Sequence, residues 1–523
     1  MRQLIPLLFA TAAIAAEGTP LVEVSMPDGA RLRARVESSL YGQLWADPAF
    51  APLRTRLEAK IAELKTSEGF DLPHWYGALV SAGLVVQPPA IAGEKPRAAL
   101  LVDVGSQATD LFAAWRTNAD NGTTPTTSPG ADEAFHEPLT AGGRQLVARM
   151  GTLIASTSDA APIPAWRPLP GNTDLNLRFD GPALGTVLGA QLAQGGEATA
   201  TLLTGPALAA AYGRITYDLT IIPEGVHERI VTDAASPWLV PVERAVLDRL
   251  PANALNALAI GIDGKHLWAI LRKPMLTLIA ESDGLTIDDA ETALDANLAG
   301  FGVTTGFAGL IEGIAGTITL AVTPSAPFPA VTLTLPRSAG IDQLITALTT
   351  QLGGVVPAAG TSSLLPIPGA PVLVNLACDA QHWLITSDAA AATGWLGGSA
   401  SGWTTTPAAA LALAKAGPQA VLIGASDTPT LVRTLTPFVA LGLGQSDVEK
   451  PIKQAILQTL GRLAALAKSG YIVGRTRREG GVEVELRGVM SSSVMPLMVL
   501  GLVNRSASQA VDAPAAPSDA PIP

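Results

Sequence analysis

Apolar and polar residues alternate from Leu21 to Ser25, a period of two that predicts a strand. Pro27-Asp28-Gly29 breaks it, and Asp28 is placed to cap a following helix. Leu53, Leu57, Ile61 and Leu64 then recur at helical spacing with charges between them. This strand, turn and capped-helix rhythm returns along the chain. Strands are expected over Ala98 to Val104, Leu153 to Ala155 and Leu175 to Phe179, and a helix through Leu111, Phe112 and Trp115. Asp180-Gly181-Pro182 opens another helix, where proline is tolerated because the first helical amides have no partner to lose. Thr216 to Ile222 and Val226 to Thr232, joined by Pro223-Glu224-Gly225, read as a hairpin. Asn118 to Glu133, rich in Asn, Thr, Pro and Gly, reads as a mobile loop.

Pro237 to Pro251 bridges to a second run of the same kind. Its strands are expected over Leu258 to Ile262, Ala330 to Leu335 and Val372 to Cys378, with a helix over Ile341 to Leu348. Glu281 to Gly284 reads as a turn, and Thr286-Ile287-Asp288-Asp289 as the cap of a helix. Gly300 to Val322, with Glu312 as its one charge, reads as a buried helix running into a strand at Thr317 to Val322. Gly353 to Pro371 reads as a connector. Ser446-Asp447-Val448-Glu449 has the form of a capping box before a helix carrying Ile452, Ile456, Leu460, Leu463 and Leu466 on one face. Ile472 to Arg478 and Val482 to Val489, around Glu479-Gly480-Gly481, form a closing hairpin.

The two runs share landmarks. Thr157-Ser158-Asp159-Ala160-Ala161 returns as Thr386-Ser387-Asp388-Ala389-Ala390, and a tryptophan follows each Asp by seven residues, at Trp166 and Trp395. Asp28-Gly29 matches Asp263-Gly264, Asp180 matches Asp427, and Gly225-Val226 matches Gly481-Val482. The offsets are 235 (263 − 28), 229 (386 − 157), 247 (427 − 180) and 256 (481 − 225), collinear with room for loop insertions. A period this long implies duplicated domains rather than a solenoid. The fold expected is α+β: two homologous modules, 17–240 and 241–503, each a mostly antiparallel sheet with amphipathic helices on one face.

Composition narrows the class. Of 523 residues 48% are hydrophobic and 15% charged, enough apolar chain for a large core. The net charge of −11 argues against nucleic acid and against a surface that clings to anionic lipid. Arg2, the apolar run Leu4 to Phe9 and Ala13-Ile14-Ala15 have the form of a signal peptide over 1–16, with the mature chain starting near Glu17. No membrane span is expected after its cleavage. Val494 to Val503 is too short to cross a bilayer, and the Ala/Pro tail 504–523 is expected to be disordered.

Candidate chemistry is sparse. Cys378 is the one cysteine; its apolar strand favours a packed thiol over a nucleophile, although His382 follows four residues on. His74-Trp75-Tyr76 reads as packing under a loop. The repeated Thr-Ser-Asp reads as a helix cap rather than a catalytic pair. Asp288, Asp289, Glu291 and Asp295 read as a solvated first turn rather than a cation site. His136-Glu137 has no second histidine for zinc, and Gly397 to Gly402 is a linker rather than a nucleophile elbow. Asn121-Gly122-Thr123 is a sequon of little weight. Arg475, Arg477 and Arg478 read as cross-strand partners of Glu483, Glu485 and Arg487, with an anion site as the alternative. No catalytic, cofactor-binding or metal residue is assigned.

The opening strand, the Pro-Asp turn and Ser39-Leu40-Tyr41-Gly42-Gln43-Leu44-Trp45-Ala46-Asp47-Pro48 carry a resemblance. Over Val22 to Phe50 the chain resembles a family of uncharacterised exported bacterial proteins, a domain of unknown function. That resemblance implies an envelope or secreted location and supplies no catalytic residues. The function expected is therefore that of an exported, periplasmic or extracellular, non-enzymatic binding or structural protein. A groove between the modules would take a protein or an apolar ligand, with no cofactor and no nucleic acid. The alternative is a hydrolase acting on envelope glycan through a carboxylate pair.

Overall fold

The computed structural model describes residues 20–68, 71–89, 96–119, 122–138, 144–158, 163, 171–192, 213–325, 329–367, 373–398 and 402–489. The expected signal, Asp159, Trp166, Asn121, the linker residues 399–401 and everything from 490 onward lie outside them.

Among the described residues nineteen strands join edge to edge into one sheet in which every pairing is antiparallel. From one edge, the order begins with β4 (Thr124–Thr126), β5 (Glu133–Pro138), β6 (Arg144–Met150) and β7 (Leu153–Ser158). It continues through β3 (Arg97–Asp103), β2 (Ser81–Gln87) and β1 (Val22–Met26). Next come β8 (Leu175–Asp180), β9 (Arg214–Ile222) and β10 (Gly225–Thr232). Past the middle lie β19 (Val482–Gly488), β18 (Gly470–Thr476), β17 (Ala420–Ser426) and β11 (Asn256–Asp263). The order ends with β12 (Ala315–Thr323), β13 (Ala330–Pro336), β16 (His382–Thr386), β15 (Val374–Cys378) and β14 (Thr361–Leu365). The α+β class is as expected, with long helical segments beside this sheet.

Local chemistry starts the helices, as the sequence placed them after Asp28 and Asp180. Asp28, Asp180, Asp263 and Asp427 each end or follow a strand and accept a backbone N–H of the next helical turn. Asp388 does so for Ala389–Leu396. Other expectations need correction. The loop expected before Glu133 carries β4, and the connector expected from Gly353 carries β14, so the polar segments supply the edge strands. Glu281 to Asp283 form the last turn of the helix Gly264–Asp283, which Gly284 ends in the left-handed conformation (φ 66°). Gly300 to Val322 holds only the short helix Gly306–Glu312, because Gly302 and Gly306 take φ values of 89° and 69° that no helix continues through. Ser446 is not part of a capping box: its hydroxyl donates to the Leu443 carbonyl of the helix Thr428–Gly444. The helix Lys450–Leu466 starts after Glu449, with Pro451 preorganised for its first turn.

The helices pack on both faces of the sheet, not on one. Strand register decides this, since directly opposed residues point to the same side. Ala259 opposes Thr319, Thr319 opposes Thr334, and Thr334 opposes Leu384, so these share a face. On it Pro407–Ala416 packs against Ala257, Ala259 and Ile423, and Ala389–Leu396 against Leu384. Trp383, on the opposite face, sits with Ile341 and Ile345 of the helix Ala339–Gln351. Strands such as Asn256–Asp263 alternate Ala with Leu and Ile, so both faces are apolar. The alanine face lets an alanine-rich helix approach closely. Among the described residues no helix is long and apolar enough to cross a membrane.

Candidate functional site

β10 and β19 meet at the middle of the sheet, with Val226 opposite Gly488 and Thr232 opposite Val482. On one face of this joint stand His227 and Arg229 of β10, Glu483, Glu485 and Arg487 of β19, and Tyr471 and Arg475 of β18. Glu485 is the hub. It accepts from the Tyr471 hydroxyl at 2.6 Å and from Arg475 Nη2 at 2.9 Å, with His227 Nε2 at 3.3 Å and Lys415 Nζ at 3.8 Å. Burial alone raises its carboxyl pKa, but the Tyr471 hydroxyl, Lys415 and His227 outweigh that, and the net shift is downward. The same carboxylate, after burial, pushes the Tyr471 phenol upward. Glu483 accepts from Arg229 Nε at 2.9 Å, and that bond holds its carboxyl below the usual range. Arg487 pairs with Glu224 at the far end of the joint.

The sequence anticipated the cross-strand pairing of Arg475 with the glutamates; the third strand, β10, was not legible from it. A cleft of about 330 Å³ opens beside the hairpin turn, lined by Arg229, Arg475, Arg477, Arg478, Glu479 and Glu483 with Thr476. The groove expected between the two halves was to take a protein or an apolar ligand; the cleft beside the β10–β19 joint is lined by charged side chains. Glu483 and Glu485 project from the same face, about 7 Å apart by strand rise. Both carboxyls are held ionised, so this pair presents no proton donor for glycoside cleavage.

The opposite face of the joint is closed by the segment that carries the resemblance. Ser39 caps the helix Leu40–Ala46, Leu40 is 1% exposed, and its N–H bonds to the Pro223 carbonyl before β10. Leu40, Tyr41 and Leu44 pack with Leu463, Leu466, Ala467 and Val489, and the Tyr41 hydroxyl donates to the Val489 carbonyl. Burial first, then the buried Glu228, pushes the Tyr41 phenol up to about 12. Asp47 caps the turn Pro48–Phe50 and pairs with Arg462 at 2.8 Å. The Ser-Leu-Tyr…Asp-Pro run thus ties the first half of the chain to the helix Lys450–Leu466.

The other sequence candidates do not converge. Cys378 is buried, its thiol donates to the Pro357 carbonyl at 3.4 Å, and burial raises its pKa. Cys378 ends β15 and opposes Trp383, so it projects on the face opposite His382, which lies past that strand end and begins β16. His382 is buried with its Nδ1 unbonded, 3.9 Å from Asp379, and desolvation lowers its pKa. Trp75 packs with Phe112, while His74 and Tyr76 are exposed in the helix Leu72–Ala78. Glu137 accepts from Trp115 Nε1 at 3.1 Å and neighbours His136 on the other face of β5. Glu291 pairs with Arg272, and Asp295 accepts the Phe307 N–H at 2.7 Å, so the acids after Thr286 serve structure. Among the described residues no cluster of His, Cys, Asp and Glu could hold a metal. Thr157 and Ser158 lie in β7 rather than beyond it, and Ser158 Oγ accepts the Ala98 N–H at 3.1 Å. Compared with known proteins, the chain matches no family model, no curated protein and no solved structure.

Proposed function

We propose that the chain is an exported, non-enzymatic binding protein of the bacterial envelope. In this reading it arose by duplication of one α+β module, 17–240 and 241–503, and works through the charged face where the copies meet. The register of β10 on β19 carries the reading. The sequence offset of 256 makes Val226 equivalent to Val482 (226 + 256) and Thr232 to Gly488 (232 + 256). The observed pairs, Val226 with Gly488 and Thr232 with Val482, exchange under that equivalence, as a two-fold axis requires. Strand order supports it. Outward from the joint, β10, β9, β8, β1, β2, β3, β7, β6 and β5 are matched by β19, β18, β17, β11, β12, β13, β16, β15 and β14. Small contacts repeat too: Ser158 accepts the Ala98 N–H, and Ser387 the Val331 N–H at 3.0 Å.

Export rests on the signal pattern and on the resemblance of Val22 to Phe50. The absence of a proton donor at the Glu483–Glu485 pair favours binding over glycan hydrolysis. The test is twofold. Mass spectrometry of the envelope fraction should find a mature chain starting near Glu17; an uncleaved chain confined to the cytosol sinks the location. Purified mature protein should release no reducing ends from envelope glycan. Turnover that disappears in Glu483→Gln overturns the non-enzymatic reading.

A further inference from the structure

Four arginines, Arg229, Arg475, Arg477 and Arg478, share one cleft with two carboxylates, Glu479 and Glu483. They do so in a chain of net charge −11, where basic residues are the minority. Arg229 is matched by Glu483, and Arg477 by Glu479, whose side chain is 79% exposed. Arg475 reaches Glu485 with one nitrogen, but its Nε is buried without a partner. Arg478 is exposed and has no ion-pair partner among the described residues. An anion bound beside Arg478 would supply the counter-charge it lacks. The planar guanidinium fork suits the two-oxygen edge of an oxyanion. With Arg229, Arg475 and Arg477 each matched by a glutamate, one positive charge is left over, at Arg478, beside the unpartnered Arg475 Nε. The cleft volume of about 330 Å³ lies at the lower end of small-ligand sites and admits a phosphate with a sugar-sized body.

We propose that this cleft binds a small phosphate-bearing anion, free in solution rather than as a lipid headgroup. Its lining offers no apolar side chain to seat an acyl chain, and the charge of the whole molecule opposes an anionic bilayer. The proposal rests on the reading of the joint as the working surface and names its ligand class.

The test is calorimetric titration of the full mature chain with inorganic phosphate, with glycerol phosphate and with phosphatidylglycerol vesicles. Saturable one-to-one binding of the two soluble phosphates is expected, weakening as sodium chloride rises. The double variant Arg477→Ala/Arg478→Ala should weaken it roughly ten-fold or more, as loss of charge-assisted hydrogen bonds does. Arg433→Ala, on an exposed helix away from the cleft, should leave it unchanged. Circular dichroism checks that each variant is folded. No saturable binding of either soluble phosphate overturns the proposal, as does binding undiminished in the double variant. Binding to vesicles alone replaces the free anion with a lipid headgroup. If neither phosphate binds but the double variant loses retention in the envelope fraction, the ligand class is wrong and the joint remains the working surface.

Discussion

At the residue scale the joint is governed by Glu485, whose side chain is 14% exposed and faces four basic or hydroxyl partners. Its folded pKa lies below the ordinary 4.5, so its contribution is fully present above 4.5 and is lost as pH falls through the folded value. Glu483, Asp342 and Asp379 are shifted the same way and act in the same acid window. Glu485→Gln keeps the shape and removes the charge, leaving Arg475 and Lys415 uncompensated. It should lower stability by about 1–3 kcal/mol at neutral pH, read from the urea midpoint. Because the variant has already lost that contribution, its midpoint should fall less than the wild type's between pH 5 and 3. A variant with an unchanged acid slope would show that Glu485 is not the linked group.

At the element scale the helix Leu40–Ala46 acts as a clamp between the halves of the chain. Leu40→Ala empties a side-chain site that is 1% exposed beneath Val489 and Ala467 and should cost about 2–5 kcal/mol. Native-state hydrogen exchange should show the loss first at β19 and the helix Lys450–Leu466; a change confined to 29–50 would deny the clamp. The helix itself was not assigned from the sequence, although Ser39 and Asp47 stand as capping residues at its two ends. Nor was its role legible, because its partner lies more than 400 residues on and no local pattern encodes that distance. The same reason hid β10 as the third strand of the charged face, while the local hairpin of β18 and β19 was plain. Two-sided burial was missed because alanine marks a face weakly: Ala257 and Ala259 look like spacers between Leu258 and Ile260 until Pro407–Ala416 is laid upon them. The edge strands β4 and β14 were read as loops because polar and turn-forming residues suit both, as an edge exposed to water favours.

At the scale of the whole molecule, the proposed duplication makes a demand that neither half makes alone: equivalent positions across the joint must tolerate the same changes. Gly225 opens β10 and Gly481 immediately precedes β19, 256 residues apart. Both hold positive φ, 142° and 79°. A Cβ on Gly225 would stand 2.2 Å from the Gly488 carbonyl oxygen, and one on Gly481 would stand 1.9 Å from that of Thr232. Each glycine therefore lets the end of the partner strand pass against it, once at each end of the joint. Gly225→Ala and Gly481→Ala should each destabilise the protein by about 2–3 kcal/mol, through backbone strain together with the displaced carbonyl. Gly480→Ala supplies the control: its φ is 90°, but nothing lies within 4 Å of the added carbon, so strain alone should cost about 1 kcal/mol. Urea denaturation of the three variants separates the cases. Matched large losses at 225 and 481 with a small one at 480 are what a two-fold joint requires. If one of the pair is silent while the other unfolds the chain, the ends of the joint are not equivalent, and the resemblance between the halves stops at strand order.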